Sequence, residues 1–165
     1  MAVAVLDTPK VQGEVCFYQK KGGVEIQYLF TRLPPGPHGF HIHRAGDLRG
    51  EGCKAACDHW HKGKPTTHGG PPTHKGPRHT GDLGNINIYR EGVKYDDVRG
   101  LMFLKNVTLD ELYGRSVIVH EDEDDYGMGN EDDSKTTGHS GSRIACGVIG
   151  RMSSCSPPTR KKGSK

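Results

Sequence analysis

Hydrophobic and polar residues alternate with a period of two through much of this chain. In Val11-Gln-Gly-Glu-Val-Cys-Phe-Tyr18, residues Val11, Gly13, Val15 and Phe17 share one face, and Gln12 and Glu14 take the other. The same alternation returns at Val24, Ile26, Tyr28 and Phe30, after the turn sequence Lys20-Lys-Gly-Gly23, which predicts a β-hairpin. Leu33-Pro-Pro-Gly-Pro37 interrupts regular structure. Gly39–His43, Asn85–Tyr89, Val98–Leu104, Ser116–His120 and Ile144–Ile149 read as further strands, and Ala2–Leu6 as one more. About eight short strands with no helical periodicity predict an all-β fold, an antiparallel sandwich or barrel.

Two stretches break the pattern. Residues 48–79 have almost no apolar periodicity and are rich in Gly, Pro and His. A loop of about 30 residues inside a compact domain points to function. The second stretch, 121–142, opens with eight carboxylates between Glu121 and Asp133 and no Lys or Arg among them. Residues 1–150 are expected to form one domain. Residues 151–165, with five bases, no acids and two prolines, are expected to form a basic, disordered tail.

Composition fits this outline. The chain of 165 residues holds 24 Gly and 10 Pro, and fewer than one residue in five is Val, Ile, Leu or Phe. The core must therefore be economical. A formal net charge of only +3 argues for folding rather than disorder. No run of 18 apolar residues occurs, so no membrane-spanning helix is expected. The N-terminus has neither a basic start nor a sustained apolar run, which makes the cytoplasm the expected compartment and leaves the sequon Asn106-Val-Thr108 unused. Five cysteines, at 16, 53, 57, 146 and 155, are too scattered for a disulfide scaffold.

Histidine changes the picture most. Eight of ten histidines fall between His38 and His79, and such a cluster suggests a metal site. In Phe40-His-Ile-His43 the period of two sends His41 and His43 to one side and Phe40 and Ile42 into the core. His59, His68, His79 and Asp82 lie in or just after the first long loop, and His120 ends a strand. Imidazole suits zinc and copper, and a carboxylate suits zinc.

These residues carry a resemblance. Gly39-Phe-His-Ile-His-Arg-Ala-Gly-Asp47, His79-Thr-Gly-Asp-Leu-Gly-Asn85, Val119-His-Glu121 and Gly138-His-Ser-Gly-Ser-Arg-Ile-Ala-Cys-Gly-Val-Ile149 resemble, in order and approximate spacing, the signatures of the copper/zinc superoxide dismutases. The resemblance spans about residues 2–150. It implies an eight-stranded Greek-key β-barrel, superoxide as substrate, and one copper and one zinc per subunit. Copper would be held by His41, His43, His59 and His120, and zinc by His59, His68, His79 and Asp82, with His59 bridging the metals and carrying a proton. Arg143 would attract and orient superoxide. Asp124 would link His41 to His68 behind the metals, and Cys53–Cys146 would be the disulfide. The resemblance further implies a homodimer and a copper chaperone as a candidate partner. Nucleic acid is not an expected partner, although Arg160-Lys-Lys162 is basic.

The chain also departs from that pattern. The interval from His59 to His68 is one residue longer than expected and that from His68 to His79 two longer, so His68 is favoured as the middle zinc ligand, with His74 its rival. Cys57 is extra and competes with Cys53 for Cys146. His61 stands where Asn is common and is expected to be solvated. Cys16 is expected to be a buried free thiol and Cys155 an exposed one. Tyr113 and Arg151 replace residues usually apolar at the presumed dimer contact, and Ala45 replaces a larger one. In the acidic loop, Met128 occupies a neighbourhood where the family places lysine, and Lys135 is the only Lys or Arg between Glu121 and Gly138. Weaker electrostatic steering of the anion is expected.

Overall fold

A computed structural model describes residues 1–88 and 98–153. Strands β1 (Ala2–Asp7), β2 (Gln12–Lys20), β3 (Gly23–Arg32), β4 (Gly36–His43), β5 (Asp82–Ile88), β6 (Val98–Lys105), β7 (Ser116–His120), β8 (Arg143–Val148) and β9 (Gly150–Arg151) form two antiparallel sheets. One has the order β6-β3-β2-β1-β9 and the other β5-β4-β7-β8. The return of β7 to pair with β4 is a Greek-key connection. Among the described residues there are nine strands rather than eight, because Gly150 and Arg151 continue past the last alternating run to pair with Val3 and Ala2. Tyr89, Cys155 and Arg160-Lys-Lys162, singled out in the sequence, lie outside the described residues.

The alternation explains the layers. Val15, Phe17, Val24, Ile26 and Phe30 from one sheet meet Phe40, Ile42, Val117 and Val119 from the other, all buried. Phe40 packs edge-on against Phe30 at 6.1 Å and against Tyr28 at 5.6 Å, tying the sheets together.

The residues between Phe40, Ile42, Val117 and Val119 point the other way, yet His41, His43, Ile118 and His120 are buried too. Both faces of β4 and β7 are therefore covered, one by the opposite sheet and one by the irregular segments that follow β4 and β7. Those segments contain short helices that the periodicity did not predict: a 3₁₀ helix at Glu51–Ala56 and α2 at Ser134–Thr137, besides α1 (Leu109–Leu112). Each is too short to present a 3.6-residue repeat. The disulfide Cys53–Cys146 ties the 3₁₀ helix to β8 across 93 residues of sequence. Cys57 and Cys16 are free thiols, the first exposed and the second half-buried.

Candidate metal centre

β4 supplies His41 and His43 side by side, and β7 supplies His120 from the neighbouring strand. His59 arrives from the long loop, which is laced to β4 by backbone bonds from Trp60 N to Ile42 O at 2.7 Å and from Arg44 N to Asp58 O at 3.0 Å. A single antiparallel bridge pairs His43 with His59.

Each of these four rings has one nitrogen engaged and one bare. His43 Nδ1 donates to Cys57 O at 2.7 Å and His120 Nδ1 to Gly141 O at 3.1 Å. His41 Nε2 meets Asp124 Oδ2 at 2.7 Å, and His59 Nδ1 meets Asp82 Oδ1 at 2.9 Å. The opposite nitrogens, His41 Nδ1, His43 Nε2, His59 Nε2 and His120 Nε2, are buried and have no hydrogen-bond partner. The ligand atoms of the four residues lie within 4.8 Å of one another. Proton placement follows from the engaged side: a nitrogen facing a carbonyl must donate, so its partner across the ring presents a lone pair. Four convergent imidazole lone pairs fit copper. Leaving buried polar atoms unpaired is costly, and a cation removes that cost.

Burial keeps the set neutral. The His43 imidazole is pushed down to about 2 and that of His120 to about 3, and those of His41 and His59 are also lowered, in each case chiefly by burial. Neutral imidazole is the form that ligates.

A second cluster adjoins the first. Asp82 Oδ1 lies 2.9 Å from His59 Nδ1, 3.1 Å from His68 Nδ1 and 3.3 Å from His79 Nδ1, and His68 Nδ1 is 3.2 Å from His59 Nδ1. A tetrahedral ion with bonds of 2.0–2.1 Å holds its ligand atoms about 3.3 Å apart, so these separations suit zinc. The other Asp82 oxygen accepts from the backbone N–H groups of Gly69 at 2.9 Å and His79 at 2.7 Å, which aims the carboxylate. His59 is the one residue common to both clusters. His41, His68 and Asp124 make a third grouping, a hydrogen-bonded bridge in which Asp124 Oδ1 lies 2.7 Å from His68 Nε2. Gly138 closes over that bridge at φ 68, where a Cβ would collide with both partners.

His68, rather than His74, therefore joins the cluster. The His74 ring lies 6.5 Å from that of Tyr126, and its edges fill the space against Gly70 and Gly76, so it packs the lengthened part of the loop. His61 takes no place among the ligand atoms. It bonds Lys64 O at 2.8 Å and accepts from Thr80 N at 3.2 Å. Arg143 lies at the wall of a cavity of about 490 Å³ that reaches His43, His59 and His120 and is rimmed by Lys135 and Asp133. Its guanidinium donates to Cys53 O at 2.8 Å and Cys57 O at 2.7 Å.

Sequence reasoning missed three supports. Arg78 donates to the carbonyls of Gly70, Thr80 and Asp82 and pins the loop. Its position beside His79 was the only available signal. Asn85 exchanges two bonds with the backbone of Asp124, at 2.9 and 2.8 Å. His38, on β4 but outside both ligand groups, contacts the His120 carbonyl.

The family model for copper/zinc superoxide dismutase (SODC) matches residues 11–149. The superoxide dismutase [Cu-Zn] of Candida albicans is 42% identical over 154 residues, covering 90% of this chain and 96% of that protein. That of Paramecium bursaria Chlorella virus 1 is 42% identical over 151 residues, with 90% and 77% covered. The extracellular superoxide dismutase [Cu-Zn] of Drosophila melanogaster is 43% identical over 152 residues, with 87% and 78% covered. Among solved structures, the clock protein EA4 superposes with a TM-score of 0.79 at 40% identity, covering 90% of this chain and 92% of that one. Relatives named extracellular stand beside others not so named, so the relatives do not single out the cytoplasm expected from the N-terminus.

Proposed function

The chain belongs to the copper/zinc superoxide dismutase family, and from that premise we propose how its residues divide the work. It is an oxidoreductase that uses copper and zinc to convert superoxide into dioxygen and hydrogen peroxide. His41, His43, His59 and His120 hold copper, and His59, His68, His79 and Asp82 hold zinc. The observation that carries this division is the set of four buried, partnerless ring nitrogens converging from β4, β7 and the intervening loop.

Copper held by these residues would supply the electron transfer by which one superoxide is oxidised to dioxygen and a second, with two protons, is reduced to hydrogen peroxide. Arg143 attracts the anion and orients it at the inner wall of the cavity. Its two donors are anchored on carbonyls of the disulfide-tied 3₁₀ segment, so the guanidinium is held in place before substrate arrives. His59 would hold a proton at Nε2 only while that nitrogen is free of the metal, and would deliver it to the departing product. Asp82, His68 and His79, which would hold zinc together with His59, would keep that ring fixed from its other side.

The enzyme acts as a homodimer. Val5, Leu48 and Val148 are exposed apolar side chains. Val148 stands beside Gly46, and β1, which carries Val5, packs along β8. Burial of such a patch against a second copy supports the assignment.

Metal analysis and a superoxide dismutation assay on the wild type and on His120→Ala test the copper assignment. One copper and one zinc per chain are expected in the wild type, and zinc without copper or activity in the variant. Undiminished activity in His120→Ala overturns it.

A further inference from the structure

The segment that delivers His59 also brings a carboxylate to the cavity. Asp58 stands opposite Arg44, whose backbone N–H donates to Asp58 O at 3.0 Å, next to the bridge that pairs His43 with His59. Its neighbours in the chain are anchored on both sides. The Cys57 carbonyl accepts from His43 and Arg143, and the His59 ring meets Asp82. Asp58 therefore has a fixed backbone, and it lines the cavity together with His43, His59, His120 and Arg143. Its side chain is 88% exposed and, among the described residues, has one partner, the Arg44 guanidinium at 3.4 Å.

The other charges on the cavity wall are committed elsewhere. Asp133 Oδ1 lies 2.7 Å from His139 Nδ1, and its second oxygen accepts from Thr137 Oγ1 at 2.8 Å. That contact holds the His139 imidazole above its ordinary value, so the pair offsets its own charge. Lys135 Nζ donates to Gly127 O. Asp58 is the lining carboxylate whose field falls on Arg143. Burial draws the Arg143 guanidinium down from its ordinary value, and the Asp58 charge pushes it back up. A field that favours the cation acts with the opposite sign on an anion arriving beside it.

We propose that Asp58 is a specificity-determining residue, whose carboxylate disfavours doubly charged anions relative to singly charged superoxide at Arg143. The inference rests on the assignment of Arg143 above and deepens it. Coulomb energy is proportional to the anion's charge. Arg143 by itself therefore prefers a dianion, and Asp58 takes back part of that preference. If the Asp58 charge weakens binding of a monoanion by some factor, it weakens binding of a dianion by the square of that factor. A role in packing alone has no reason to sort ligands by charge.

The experiment compares wild type, Asp58→Asn and Asp58→Glu, each loaded with copper and zinc, at one low ionic strength. Azide, a monoanion that ligates Cu(II), is titrated by the visible spectrum of the copper, and sulfate is titrated as its competitor. The kcat/KM for superoxide is measured beside them. Asp58→Asn should bind azide about twofold more tightly and sulfate about fourfold more tightly, with kcat/KM raised about twofold. Asp58→Glu keeps the charge and should keep the wild-type ratio of the two affinities. Equal gains for azide and sulfate, no gain for either, or an Asp58→Glu that behaves like Asp58→Asn overturns the proposal. Sulfate that fails to displace azide even from Asp58→Asn also overturns it. Arg143→Gln, run in parallel, separates the two readings. Competition by sulfate that persists there as in wild type defeats the assignment of Arg143 itself. Competition lost there, with the affinity ratio unmoved in Asp58→Asn, defeats only the role of Asp58.

Discussion

Asp124 Oδ2 lies 2.7 Å from His41 Nε2, with both side chains fully buried. Its other oxygen makes an equally short contact, 2.7 Å, to His68 Nε2. One carboxylate thus orients a histidine from each ligand cluster and fixes which nitrogen of each ring is left for metal.

The two ends of this bridge depend on it unequally. His41 projects from β4, where Phe40, Ile42 and ladder pairing on both sides fix the backbone. His68 sits on irregular chain, and its backbone N–H reaches Lys135 O at 2.9 Å. Asp124→Asn keeps the shape but loses an acceptor and the charge. It should weaken zinc binding about 10- to 100-fold and copper binding less. Competition with graded chelators measures both, and equal losses at the two sites would contradict the argument.

Removing the metals should expose a pH dependence of folding. In the metal-free protein His43 and His120 titrate near 2 and 3, and burial lowers His41 and His59 as well. An unfolded histidine takes its proton near 6.5, so these groups favour the unfolded chain increasingly as pH falls from about 6.5 toward 3. The slope is at most about 1.4 kcal/mol per pH unit for each such histidine. His68 has the opposite sign. Burial opposes its charge, but Asp124 and Asp82 hold its imidazole up to about 9. Its contribution is complete below about 6.5 and is lost as pH rises through 9. Metal-free protein should therefore be most stable near pH 6.5. Urea denaturation from pH 4 to pH 9 tests this, and a flat profile below pH 6 would refute it.

Much of this site was legible in the sequence because its ligands lie where periodicity is strict or motifs are dense. His41 and His43 follow from alternation on a strand whose other face is Phe40 and Ile42. His120 follows from its place at the end of a fully apolar run. The loop ligands were harder, because chain length between His59 and His79 does not say which histidine turns inward. The space between Gly70 and Gly76 accounts for His74, and that close approach has no sequence period. The short helices at 51–56 and 134–137 escaped for the same reason. His38 and Arg78 act through backbone carbonyls, which every residue offers, so nothing in the sequence marks their partners.

The entrance to the site carries mixed charge. Lys135 and Asp133 rim the cavity that Arg143 lines, and Met128 stands on the acidic loop, 69% exposed. With the nearby carboxylates offsetting the bases, long-range attraction of an anion is weak. Raising ionic strength from about 10 to 150 mM, which shortens the Debye length to about 8 Å, should lower kcat/KM less than about twofold. Met128→Lys adds charge at no packing cost. It should raise kcat/KM roughly twofold at low salt and steepen the salt dependence. A steep fall in the wild type would show that the acidic loop does not offset the bases.

Cys57 poses a conformational test. It lies at φ 64, ψ −151, where glycine is at ease and an L side chain is strained. Its thiol is exposed, so the side chain returns little packing energy. Its carbonyl accepts both the His43 Nδ1–H and the Arg143 guanidinium, and these two bonds hold the backbone in that shape. Cys57→Gly relieves strain worth about 1–3 kcal/mol, offset by up to about 1 kcal/mol of added freedom in the unfolded chain. The net gain of about 1 kcal/mol should raise the thermal midpoint by about 2–4 °C, with metal content and activity unchanged. Cys57→Ala keeps the Cβ and should leave the midpoint near that of the wild type. A midpoint lower in Cys57→Gly than in Cys57→Ala would show that the thiol, not the backbone, is the reason cysteine is tolerated there.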